Sequence, residues 1–103
     1  MTDEEAIRLA IQEAKLALEH EDVPIGALVI VDNEVIASRH NERQLTGDPT
    51  AHAEVLALRE AAEKLGTWHL EGATLVSTLE PCPMCAGAAI NSRITRVIFG
   101  AHD

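Results

Sequence analysis

A chain of 103 residues, 47% hydrophobic and 24% charged, suits one folded domain spanning 1–103 and leaves no room for a second module. A net charge of −9 excludes broad nucleic-acid coating, and having only two aromatic rings, Trp68 and Phe99, excludes a stacking platform for single strands. No apolar run reaches the about 20 residues of a membrane helix, and the acidic start Met1-Thr2-Asp3-Glu4-Glu5 is not a signal or transit peptide, so a cytoplasmic chain is expected.

Residues 3–20 are predicted helical. Thr2 and Glu5 fit a capping box, and Ile7, Ile11, Ala14 and Leu18 form an apolar stripe at helical spacing. Pro24 is expected to end this region. The apolar run Ile25 to Val31 suits a buried strand, Asp32-Asn33 a turn, and Glu34 to Ser38 the returning strand of a hairpin. Residues 41–49 read as a polar loop. A second helix is predicted over 50–65, with Gly66 as its stop signal. A strand follows at 73–79, a short helix at 83–92 and a strand at 95–99. The order α-β-β-α-β-α-β combines a hairpin with a parallel β-α-β unit, which implies an α/β fold: a mixed sheet with helices packed on it.

The charge is unevenly spread. Residues 1–22 hold seven acids and two bases, whereas 83–102 hold Arg93, Arg96 and no acid. A local RNA contact therefore stays open. The predicted third helix carries no charge from Pro83 to Ser92, so it is expected to be covered on more than one side, by the sheet and by a second subunit.

Cys82 and Cys85 stand three apart, which suggests metal or redox chemistry in a cytoplasmic chain. Alone, C-x-x-C also fits a thioredoxin-like pair. With Pro81 before it and His52-Ala53-Glu54 thirty residues upstream, a metal is favoured. One imidazole and two thiolates leave a fourth position open, the pattern of a catalytic zinc site. Both motifs fall at predicted helix N-termini, where free N–H groups favour thiolate. Glu54, two residues from His52, points elsewhere and is placed to handle protons. His69 and His102 lack a spacing that would make either a fourth ligand. With His20 and His40 they read as exposed polar residues. Glu80 reads either as a partner of the site or as a structural carboxylate. Asp103 falls just past a strand end, where a substrate would sit, but a terminal Asp is usually solvated.

H-x-E followed by P-C-x-x-C resembles the zinc nucleobase deaminase signature. The likeness extends to Asp22-Val23-Pro24-Ile25-Gly26-Ala27, Asn41, the run from Asp48 to Glu54, the run from Thr78 to Ala88, Ser92-Arg93-Ile94 and the run from Arg96 to Ala101. Together these resemble the bacterial tRNA-specific adenosine deaminases. Guanine deaminases share D-P-T-A-H-A-E and E-P-C-P-M-C, but Thr78-Leu79, Ala86-Gly87-Ala88 and the Arg93 to Val97 run favour the tRNA branch.

The resemblance implies a three-layer cytidine deaminase-like fold, with a further strand and terminal helices that this chain lacks after Asp103. It implies one Zn2+ per chain held by His52, Cys82 and Cys85. Glu54 would move a proton from the zinc-bound water to the base, and Asn41 would hydrogen-bond the flipped base. The reaction would convert the wobble adenosine of a tRNA anticodon loop to inosine, releasing ammonia, and the protein would be a homodimer. The alternatives are a guanine or cytosine deaminase acting on a free base, or a non-catalytic zinc module.

Overall fold

A computed structural model describes residues 1–102, so the reading of Asp103 lies outside the described residues. The helices are α1 (Asp3–Lys15), α2 (Arg43–Thr46), α3 (Ala53–Leu65) and α4 (Pro83–Asn91), and the strands are β1 (Gly26–Val31), β2 (Glu34–His40), β3 (Thr74–Leu79) and β4 (Arg96–Ala101). They form one sheet of order β2-β1-β3-β4. β1 runs antiparallel to β2, as the hairpin predicted, and β3 runs parallel to β4, as the crossover predicted; the two halves join through an antiparallel pairing of β1 with β3. The hairpin turns on Asp32 and Asn33, both left-handed, the geometry that matches strand twist.

Alternation along the central strands separates two cores. Leu28 and Val76 face α1 with Ala6 and Ala10. Ala27, Val29 and Leu75 face the other side, packed with Ala53, Ala57 and Ala61 of α3 and Ala89 of α4. The result is helix, sheet, helix: three layers.

Thr2 and Glu5 do form the capping box. Beyond Lys15, however, the α-helix tightens into a 3₁₀ turn over Leu16–His20, and Glu21 ends it in a left-handed conformation before Pro24 is reached. The apolar stripe is corrected as well. The buried face is Ala6, Ala10, Ala14 and Ala17; Ile7 is only partly covered, and Ile11 and Leu18 lie exposed. Close approach is the cause. A Cβ on Gly26 would lie 2.1 Å from the Ala10 carbonyl oxygen and 2.7 Å from the Ala14 nitrogen, so helix and strand meet backbone to backbone and admit only small side chains.

The polar loop 41–49 contains the short helix α2. Its free N–H groups at Gln44 and Leu45 are taken by the Asp22 carboxylate at 2.9 and 3.2 Å, a partner far away in sequence. β2 runs on to His40, and β4 spans 96–101 rather than 95–99. In α4 only Cys85 and Ala89 are buried. Ile90 is 76% exposed and Met84 39%, so within one chain this uncharged helix is covered on one side only.

Candidate metal centre

Two helix starts converge beside the sheet. The first begins in the turn Asp48-Pro49-Thr50-Ala51. The Thr50 N–H and hydroxyl both donate to Asp48 Oδ1 at 2.8 Å, and the Ala51 N–H donates to the Asp48 carbonyl. These two Thr50 hydrogen bonds hold the Asp48 carboxyl below its usual range. His52 follows as the extended N-cap of α3, and the Asn41 side-chain oxygen takes the next N–H, that of Ala53, at 2.8 Å. The second start follows β3. Cys82 is the N-cap of α4 and Pro83 occupies its first turn, where a missing N–H costs nothing.

The donors meet. His52 Nδ1 lies 3.6 Å from Cys82 Sγ and 3.5 Å from Cys85 Sγ, and the two sulfurs are 3.6 Å apart. A tetrahedral ion with Zn–S of about 2.3 Å and Zn–N of about 2.0–2.1 Å needs edges of about 3.6 Å for N···S and about 3.8 Å for S···S. The triangle therefore has the size that zinc requires. Both cysteines are free thiols; Cys85 is buried and Cys82 partly so. Burial, with Glu54 and Cys82 beside it, pushes the Cys85 thiol far up, a cost that a bound cation reverses by stabilising thiolate.

Glu54 is 4% exposed, and its Oε1 is buried without a hydrogen-bond partner. It lies outside the group of three convergent donors. Burial raises its carboxyl above the usual range, against smaller opposing hydrogen bonds, one of them to Cys85. Asn41 is buried too. Its oxygen is committed to α3, and among the described residues its amide nitrogen has no protein partner, leaving the two N–H donors for a ligand.

The remaining readings divide. Arg96 makes a two-pronged ion pair with Asp3 at 3.0 and 2.5 Å, so the basic stretch near the C-terminal end is partly neutralised. Arg93 sits over the Trp68 ring at 5.7 Å. Glu80 Oε1 lies 3.4 Å from the His102 ring nitrogen. His69 and His102 are exposed as read. His20 and His40 are not; their side chains are only 16% exposed, and their Nε2 atoms face each other at 3.1 Å. No local spacing links residues twenty apart, so only the fold brings them together. The one sequence signal was His20-x-Asp22, in reach of a local contact that the structure shows at 2.6 Å.

A layered α/β domain that gathers one imidazole and two thiols at paired helix N-termini carries the donor set of a zinc-deaminase domain. Residues 1–101 match the cytidine and deoxycytidylate deaminase zinc-binding region, and the chain belongs to that family. It is 54% identical over 101 residues to the tRNA-specific adenosine deaminase of Bacillus subtilis, covering 98% of this chain and 63% of that protein. The chain thus spans somewhat less than two thirds of that relative. Among solved structures, one from work on A-to-I editing by tRNA:A34 deaminases superimposes with a TM-score of 0.93 at 46% identity, covering 97% of this chain and 77% of the other. Guanine deaminase from Bacillus subtilis gives 0.95 at 36% identity, covering 99% and 66%. No helix among the described residues is long and apolar enough to cross a membrane.

Proposed function

We propose that the chain is a zinc-dependent hydrolytic deaminase that converts the wobble adenosine of a tRNA anticodon to inosine. One observation carries the chemistry: a buried, unpartnered carboxylate oxygen on Glu54 beside three convergent metal donors. The RNA substrate rests on the likeness to tRNA-specific adenosine deaminases.

His52 Nδ1, Cys82 Sγ and Cys85 Sγ would hold one zinc ion per chain. Bound there, the ion supplies Lewis acidity that activates water near neutral pH. Glu54 accepts a proton from the attacking water at Oε1 and delivers it to the ring nitrogen of the base. Water oxygen bonds to the amino-bearing carbon; Glu54 then carries the second water proton from the new hydroxyl to the amino nitrogen, the carbon–nitrogen bond breaks as the carbonyl forms, and ammonia leaves. Asn41 donates from its amide nitrogen to an acceptor on the extruded base and fixes its orientation.

The same reading places the protein in the cytoplasm, where Cys82 and Cys85 stay reduced, and makes it a homodimer. Met84 and Ile90 expose the apolar face of α4. Beside it, Val55, Leu58, Ala62, Trp68 and Ala88 line an apolar groove between α3 and α4 that a second copy would fill.

A second reading, deamination of a free purine, is favoured by the guanine deaminase likeness and by the engagement of Arg96 with Asp3. Incubation with an anticodon stem-loop carrying the wobble adenosine, and separately with guanine, decides between them. Inosine in the RNA without ammonia from guanine is expected; the reverse pattern establishes the second reading.

A further inference from the structure

The end of the 3₁₀ turn after α1 and the end of β2 bring two imidazoles together outside the candidate centre. His20 Nδ1 lies 2.6 Å from Asp22 Oδ2, and His40 Nδ1 lies 2.5 Å from Glu13 Oε2. An ionised carboxylate only accepts, so each Nδ1 carries the hydrogen and each neutral ring turns a lone pair outward at Nε2. Those two Nε2 atoms face each other at 3.1 Å. Two lone pairs at that distance repel unless a positive charge lies between them.

The spacing suits an ion. Two imidazole nitrogens bound at about 2.0–2.1 Å stand about 2.9 Å apart at a right angle and about 3.3 Å apart at a tetrahedral angle. The backing carboxylates are what metal-binding imidazoles ordinarily have, fixing tautomer and ring orientation and raising basicity. Both are themselves anchored. Asp22 also accepts the Gln44 and Leu45 N–H groups, and Glu13 Oε1 accepts the Ser38 hydroxyl at 2.7 Å. Glu42 Oε2 stands 4.0 Å from His40 Nε2, close enough to supply a further oxygen, while its other oxygen holds Arg39 at 2.8 Å. Three carboxylates against one arginine leave the surroundings negative. The rings keep some solvent access, so an ion can enter.

We propose that His20 and His40 form a second site for a divalent transition-metal ion of the kind imidazole prefers, zinc or copper(II). It shares no residue with the candidate centre, so it stands or falls independently of the deaminase reading.

Equilibrium dialysis of the full chain against zinc tests it, with cadmium NMR separating thiolate-rich from nitrogen- and oxygen-bound ions. Two equivalents per chain and two cadmium signals are expected. His20→Gln and His40→Gln should each remove the second equivalent and the nitrogen-type signal while sparing the thiolate signal. Glu13→Gln, which leaves both rings in place, should weaken the second site about 10- to 100-fold. A single equivalent with only a thiolate signal overturns the proposal. A second equivalent that survives His20→Gln overturns it as well. If either histidine variant does not fold, the native cadmium spectrum and Glu13→Gln still decide.

Discussion

The Asn41 side-chain oxygen accepts the Ala53 N–H at 2.8 Å, so the residue expected to grip the base also caps the helix that begins with His52 and Glu54. The two roles use different atoms and can be separated. Asn41→Ala strands a buried N–H, which costs about 1–3 kcal/mol, and removes the donor; stability and activity should both fall. Asn41→Asp keeps an oxygen at the helix N-terminus, where negative charge is favourable, but it cannot donate. Its melting temperature should stay near that of the parent while deamination is lost. Full activity in Asn41→Asp, measured as inosine formed, would mean that Asn41 does not donate to the base.

The elements that sequence reading located best are those whose signals are local. Thr2 and Glu5 sit three apart and cap each other; Asp32-Asn33 forms the hairpin turn; Cys82 and Pro83 begin a helix. His52 and the two cysteines could be paired in advance because their residue types belong to one chemistry. What was not legible depended on contacts between distant segments. The tight approach of α1 at Gly26 decides that alanines, not Ile11 and Leu18, face the sheet. Helix α2 depends on Asp22, and the pairing of His20 with His40 depends on where a turn and a strand end meet. Periodicity alone carries none of this.

Gly26 therefore gives a direct test of the packing. Gly26→Ala places a methyl group against two backbone atoms of α1, and neither can rotate away. The helix must lift off β1. The loss should be about 3 kcal/mol or more, the upper end of overpacking costs, read from denaturant midpoints. A change of under about 1 kcal/mol would show that α1 slides freely on the sheet.

The Asp48 turn has an acid signature. Thr50 holds the Asp48 carboxyl below its ordinary value of 3.8. A group whose folded value is depressed contributes stability that is fully present above the unfolded value and is lost as pH falls through the folded one. Asp48→Ala should thus melt below the parent at neutral pH, with the gap closing as pH drops below 3.8. Both proteins are compared with chelator present, so that the other acidic groups cancel and metal release does not enter. A gap that is constant with pH would remove the carboxylate from the account of the turn.

Ile90, 76% exposed on an uncharged helix, tests the assembly. A carboxylate there would have to be buried unpaired in a packed interface, at a cost of several kcal/mol. Ile90→Glu should sediment as a monomer at micromolar concentration, with its far-ultraviolet spectrum unchanged. A parent protein that is already monomeric would place α4 outside any self-association.

Glu54 separates proton handling from metal binding. Its Oε1 is buried and unpartnered, yet the three atoms that converge belong to His52, Cys82 and Cys85. Glu54→Gln keeps the shape and the buried oxygen but cannot accept and return a proton. Zinc content by elemental analysis should match that of the parent, whereas Cys82→Ser should lose one equivalent. Deamination should fall by about a hundred- to ten-thousand-fold, the usual contribution of a positioned acid–base group. The loss should appear in kcat, because the carboxylate acts on protons in flight and not on the resting base. If Glu54→Gln loses zinc as completely as Cys82→Ser, Glu54 is a ligand, the open coordination position is filled by the protein, and the proton must be carried by some other group.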